Sequence, residues 1–144
     1  MILIDANLLV YAFDRRSPWY EQARMWLTGL LEGADPVGLA SSTIVTFVRL
    51  ATDPRIYAEP LTIDDAIAAI DALATIDTVS LVIPGPRHYS ILRDVLLASR
   101  ATRNLVPDAA LAALAIEHGA TIATNDHDFD RFRAARVIYP LEAR

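Results

Sequence analysis

The chain has 144 residues, 53% of them hydrophobic, a net charge of −5 and no cysteine. That length fits one domain over 1–144 that buries roughly two-thirds of its unfolded surface without staples. The missing cysteine excludes disulfides, thiolate metal sites and thiol nucleophiles. Every one of the 13 basic residues is arginine, so lysine-dependent mechanisms are excluded, and the acidic balance argues against a protein that grips nucleic acid by bulk positive charge.

The first apolar run, residues 1–4, stops at Asp5 and reads as a buried strand with an acid at its carboxyl end. No basic n-region precedes it, and no apolar stretch reaches the roughly 18 to 20 residues that span a bilayer. A soluble cytoplasmic protein with no membrane partner is expected. A short helix follows over 7–13. Ser17-Pro18 predicts an N-cap with proline at the first helical position, opening a helix to Leu31. Its stripe of Trp19, Tyr20, Ala23, Trp26, Leu27, Leu30 and Leu31 suits either core packing or the docking of a second protomer or another protein. Val37–Ala40 reads as a strand, and 42–52 as a helix stopped by Asp53-Pro54.

Thr62 caps an alanine-rich helix running to Ile76, with Asp64 and Asp65 in its first turn. Val79–Ile83 has strand composition and ends at Pro84-Gly85-Pro86. An amphipathic helix covers 87–99, and a further helix covers Pro107–His118, closed by Gly119. Thr121–Ala123 is a strand, 126–132 a helical turn and Arg136–Ile138 a last strand. Strands alternating with helices imply a mainly parallel sheet covered on both faces, a three-layer α/β/α sandwich. Ligands collect at the carboxyl ends of the strands in such folds.

Acids fall at three strand-end or helix-start positions. Asp5 follows the first strand, where it either serves a site or caps the next helix. Asp108 opens a helix, Pro-Asp-Ala-Ala-Leu-Ala-Ala-Leu-Ala-Ile, that is apolar on every side and so should be central. An acid there gains from the helix dipole, yet if buried it needs a hydrogen-bonding partner or a metal. A dipole-complementing acid at a solvated edge is the alternative. Asp126 and Asp128 lie just past the strand at 121–123. Carboxylates converging on one sheet edge are hard oxygen ligands suited to Mg²⁺ or Mn²⁺, which act on phosphodiesters.

The segments Ile-Leu-Ile-Asp-Ala-Asn-Leu-Leu-Val-Tyr-Ala, Asn-Leu-Val-Pro-Asp-Ala-Ala-Leu-Ala-Ala-Leu-Ala-Ile-Glu-His-Gly-Ala and Ala-Thr-Asn-Asp-His-Asp-Phe, in this order and spacing, resemble the PIN domain. More narrowly they resemble the VapC toxins of bacterial toxin–antitoxin pairs, essentially end to end. The resemblance implies a PIN-like sandwich and a Mg²⁺- or Mn²⁺-dependent endoribonuclease held in check by a VapB-type antitoxin; a homodimer is expected besides. By position, Asp5 and Asp108 match the family's metal-binding acids, Asp126 a further acid of the site and Thr124 a hydroxyl residue beside it. Asp128 and Asn7 are accessory candidates. One feature departs from the family: its usual glutamate in the helix after the second strand is replaced by Thr46 or Phe47. Asp128 or Asp53 could compensate, or one metal could be held more weakly.

Arg87, Arg93, Arg100 and Arg103 cluster around a single acid, Asp94. If the helix continues, Arg93 and Arg100 share a face that could seat RNA, since guanidinium groups grip phosphates and stack on bases; a solvated helix face is the ordinary alternative. Arg49 is a second candidate for RNA, or a partner for Asp53. Two rival functions stand beside the nuclease. One is a catalytically weak or inactive PIN-fold binding module, favoured by the missing glutamate. The other is a haloacid-dehalogenase-like phosphohydrolase, opposed by Asn7 where such enzymes carry a second aspartate and by the absence of lysine.

Overall fold

A computed structural model describes residues 1–142. Within them the chain forms β1 (Ile2–Ile4), α1 (Ala6–Phe13), α2 (Tyr20–Glu32), β2 (Val37–Ala40), α3 (Ser41–Ala51), α4 (Ile63–Ala74), β3 (Val79–Val82), α5 (His88–Ser99), α6 (Leu105–His118), β4 (Thr121–Ala123), a 3₁₀ turn (His127–Arg131) and β5 (Arg136–Ile138). All strand pairings are parallel, in the order β3-β2-β1-β4-β5. The fold is thus the expected three-layer α/β/α sandwich around a parallel sheet.

The central strands β1, β2 and β4 are buried on both faces, and alternate side chains feed two cores. Ile4, Val37, Leu39 and Ala123 join one cluster with α1, α2, α3 and α4. Leu3, Ala40, Val82 and Ile122 join the other with α5 and α6. Gly38 in β2 has no room for a side chain, because a Cβ there would stand 2.7 Å from a Val82 methyl. The chain lays β2 and β3 on one side of β1, then crosses the opposite face to lay β4 and β5 on the other. The order therefore reverses between β1 and β4, and the crevice at their carboxyl ends is where sheets of this type place a ligand.

Local signals set most element ends. Asp5 accepts from the Ala6 amide and caps α1, and Thr62 accepts from the Asp65 amide and caps α4. Gly119 closes α6 in the left-handed conformation at φ 62°. Several boundaries differ from the sequence expectation by one or two residues, and three differences have a visible cause. The Ser17 hydroxyl is used within a preceding turn, accepting from the Trp19 amide, so α2 starts only at Tyr20. The α6 helix starts at Leu105, before Pro107, because the Leu105 and Val106 amides already bond to Thr102 and Arg103 carbonyls; a proline in a helix's first turn has no amide to lose. Arg100 leaves α5 in a left-handed conformation (φ 54°), so it does not continue the helix and shares no face with Arg93.

The aromatic stripe of α2 is mostly core. Ala23 and Leu27 are buried, and Trp19, Trp26, Leu30 and Leu31 pack half-buried against the same cluster. Met25, outside the stripe, is the α2 residue left 74% exposed. Among the described residues no helix is long and apolar enough to cross a membrane.

Candidate active site

Asp5 enters the crevice straight from β1, because a three-residue strand buried in the sheet centre leaves the fourth side chain at its rim. Both of its oxygens are engaged. Oδ1 accepts from the Ala6 amide at 2.7 Å, and Oδ2 accepts from the Thr124 hydroxyl at 2.7 Å. Thr124 follows β4, is fully buried, and is itself held from two sides: its Oγ1 accepts from the Asn7 amide group at 3.1 Å and from the Asp126 backbone N–H at 3.0 Å. The Asn7 side-chain oxygen accepts from the Asn125 amide at 3.3 Å. A hydroxyl has one proton and two lone pairs, so Thr124 is saturated and has a single orientation. This network ties the ends of β1 and β4 together and fixes the Asp5 carboxylate.

Asp108 arrives from the first turn of α6 and borders the same cleft as Asp5, a space of about 280 Å³ shared with Ser42, Thr43, Thr46, Arg49 and Asn104. Burial pushes the Asp5 carboxyl above the ordinary carboxylate range, against the lowering effect of its hydrogen bonds. The Asp108 carboxyl is pushed up to about 6, first by burial and then by the charges of Asp5, Asp126 and Asp128, while Arg131 pulls it down. Asp108 thus feels the charges of three other acids, and Asp5 that of Asp126. A site of this kind favours a positive charge among them.

Asp126 caps the 3₁₀ turn, its Oδ1 accepting from the Asp128 amide at 2.8 Å. Asp128 is exposed, with the Arg131 guanidinium 3.9 Å away. One oxygen of Asp5 and one of Asp126 accept from nearby backbone amides, and the carboxylates do not close into a cage: among the described residues no three His, Asp or Glu side chains are gathered tightly enough to hold an ion by themselves. The arrangement instead has two acids on a cleft with a third alongside. That suits a small hard cation, which keeps several waters and takes only one or two carboxylates from the protein.

The α3 side of the cleft shows what replaces the expected glutamate. Phe47 is fully buried in the core, whereas Thr46 borders the cleft. Asp53 does not compensate, because its carboxylate is paired with Arg55 at 2.9 Å. Arg49 accordingly forms no ion pair with Asp53 and borders the cleft instead. Arg93 is exposed and turned to its neighbour Asp94, 3.4 Å away.

Sequence reasoning overlooked Glu117 near the end of α6. Its side chain is 6% exposed and accepts from the Gly85 and Arg87 amides at 3.0 and 3.1 Å. These bonds hold its carboxyl below the usual range. A negative charge in the last turn of a helix opposes the dipole, so its occurrence in an otherwise apolar helix was the available signal that a dedicated partner exists.

Known proteins share this architecture. The family model described as PIN domain matches residues 2–135. Ribonuclease VapC37 of Mycobacterium tuberculosis is 41% identical over 140 residues, a span of 97% of each chain. Among solved structures, FitAB bound to an IR36 DNA fragment aligns with a TM-score of 0.71 at 20% identity, over 100% of this chain and 98% of that one. VapBC2 from Rickettsia felis, bound to a DNA fragment from its promoter, aligns with a TM-score of 0.69 at 15% identity, over 96% of this chain and 98% of that one. At these identities the two structures speak to the fold.

Proposed function

Because the chain belongs to the PIN domain family, we propose that it is a metal-dependent endoribonuclease, a single nuclease domain over 1–144 acting as the toxin of a VapBC-type pair in the cytoplasm. The observation that carries this reading is the shared cleft. Two acids far apart in the chain, Asp5 and Asp108, border it at the switch point between β1 and β4, and each has a carboxyl pushed above its ordinary range.

Asp5 and Asp108 would hold Mg²⁺, with Mn²⁺ as an equally hard alternative, and Asp126 would add a further acid. Asp128 is placed to adjust the field around them. Such an ion supplies Lewis acidity toward a phosphodiester and a water of lowered pKa. Thr124 keeps the Asp5 carboxylate oriented, and Asn7 keeps Thr124 oriented. Arg49 lies on the α3 side of the cleft and would pair with a phosphate of the RNA substrate. Arg100 is a second candidate from its loop. A VapB-type antitoxin as inhibitor and a homodimer as the working assembly follow from the same family reading.

A second reading, a catalytically weak or silent PIN fold that binds without cutting, is favoured by Thr46 standing where an acid is expected. The phosphohydrolase alternative is dropped, since Asn7 is bonded to Thr124 and Asn125 within the acid cluster and offers no second carboxylate. The deciding experiment incubates purified protein with total RNA and Mg²⁺ or Mn²⁺. Cleavage that chelation and Asp108→Ala each abolish is expected, and an unaltered protein that leaves RNA intact under both ions would favour the silent fold.

A further inference from the structure

On the α5–α6 layer a groove of about 470 Å³ runs between the last turn of α5 and the chain that follows the 3₁₀ turn, lined by Val95, Ala98, Ser99, Arg131, Phe132, Arg133 and Ala134. Its floor is apolar, with Val95 and Phe132 buried. The Ser99 hydroxyl is occupied in donating to the Val95 carbonyl at 2.7 Å. The charged groups of its lining are two guanidiniums, with no carboxylate among them. Arg133 is exposed, and among the described residues no acid lies within ion-pairing distance of it. Arg131 joins this groove to the acidic cleft, for it lines the groove while standing 3.9 Å from Asp128 and acting on the Asp108 carboxyl through its charge.

The loop between α5 and α6 makes a second connection. Ser99 lines the groove and Asn104 lines the acidic cleft, so residues 100–103 pass from one to the other. Among the described residues, the non-glycine residues with positive φ are Arg100 at 54° and Arg103 at 53°, both on this loop and both exposed. A left-handed backbone is costly for any residue with a β-carbon, and glycine would adopt it freely. Strain retained at two neighbouring arginines beside a site is a sign that the side chains serve a purpose there.

We propose that this groove carries the RNA strand leading away from the acidic cleft, with Arg103, Arg131 and Arg133 gripping its phosphates and the apolar floor receiving its bases. The inference rests on the nuclease reading and extends it from the reacting phosphate to the flanking nucleotides. Guanidiniums bordering an apolar floor match single-stranded RNA, whose phosphates pair with arginine and whose bases pack on apolar surface. The acidic remainder of the chain repels RNA elsewhere, so the strand is confined to this path.

The test measures binding of a fluorescein-labelled single-stranded RNA of mixed sequence to protein silenced by Asp5→Asn, in Mg²⁺, across a series of salt concentrations. Arg133→Glu in the groove and Arg103→Glu on the loop leading to it, together the groove variants, are compared with Arg24→Glu, the same charge change on α2 in the opposite layer. Each groove variant is expected to bind the RNA about tenfold more weakly or worse, with a log–log salt slope shallower by roughly 0.7 for each phosphate no longer gripped. Arg24→Glu should bind like the unaltered protein. Arg103→Gly guards against misfolding: it should melt no lower than the parent, because the backbone strain is relieved, and still lose affinity. Groove variants that bind RNA as Arg24→Glu does would overturn the assignment. Groove variants that lose a VapB-type antitoxin while keeping RNA would overturn it equally and give the groove to a protein partner. If the unaltered chain neither binds nor cuts RNA, the nuclease reading itself has failed.

Discussion

Asp108 and Glu117 sit near opposite ends of α6, both partly withdrawn from water, and their surroundings act on them in opposite directions. Glu117 lies against the loop after β3, where two backbone amides point at its oxygens and hold its carboxyl low. Asp108 lies among three other acids, and its carboxyl rises to about 6 with no hydrogen bond to lower it. One helix thus carries a carboxylate whose needs the fold meets and one whose needs it leaves open. The first is a structural tie. The second is a carboxylate that a positive ion would stabilise, because burial among like charges otherwise protonates it or penalises the fold.

The largest expected effect separates the two ends by activity. Asp108→Ala or Asp5→Ala should reduce RNA cleavage below about one per cent of the unaltered rate, since even residues that only orient metal ligands are worth roughly 10- to 100-fold. Circular dichroism should report an unchanged fold. Glu117→Gln should do the reverse, leaving cleavage intact at temperatures below melting while lowering Tm, because one of the two amides then faces an NH₂ group. Equal loss of cleavage in the Glu117 variant would erase the distinction.

Next in size is Thr124→Val, which keeps the shape and removes the hydroxyl on which Asp5, Asn7 and Asp126 converge. A loss of roughly 10-fold in cleavage rate is expected, with RNA affinity preserved. Destabilisation should be about 1–3 kcal/mol, measurable by urea unfolding, because buried partners lose their hydrogen bonds. An equal loss in Asn7→Ala would place the orienting role upstream of Thr124.

The smallest effect is the most diagnostic, for the two acids should move stability oppositely with pH. The Asp108 carboxyl titrates higher in the folded state than its ordinary 3.8, so the folded chain holds the extra proton between about 4 and 6. Its contribution is favourable below about 4 and is lost as pH rises through about 6. Glu117, held low, contributes above its ordinary 4.5, and that contribution is lost as pH falls through its depressed range. Asp108→Asn should therefore stabilise the metal-free protein at about pH 7 by on the order of 1 kcal/mol after solvent screening, with the gain vanishing by about pH 4. Adding Mg²⁺ should raise Tm of the unaltered protein and not of this variant. A metal-free Asp108→Asn protein less stable than its parent at neutral pH would contradict the open-carboxylate reading.

The secondary structure was legible because its signals are local. Thr62 and Gly119 bound their helices through bonds within one turn, and largely apolar runs mark β1, β2 and β3. Asp5 and Asp108 could be named in advance because an acid after a buried strand, or in the first turn of an apolar helix, is conspicuous in a linear reading. Thr46 could not be separated from Phe47, since which of two adjacent residues points into a cleft depends on how α3 rolls against β1 and α1. Glu117 and the Arg131–Arg133 groove were missed for a related reason. Their partners lie in the loop after β3 and at the end of α5, segments that only the crossover of the sheet brings near.

The amino-acid sequence alone determined the alternation of strands and helices, the sandwich that follows from it, and the identities of the acids at strand ends. Those depend on hydrophobic period and capping, both of which act within a few residues. Tertiary structure decided which acids repel one another, which is quieted by backbone amides, and where Arg49, Arg103, Arg131 and Arg133 stand relative to them. Charge interactions fall off over ångströms in space rather than positions in the chain, so they acquire their values only once the sheet order has reversed between β1 and β4.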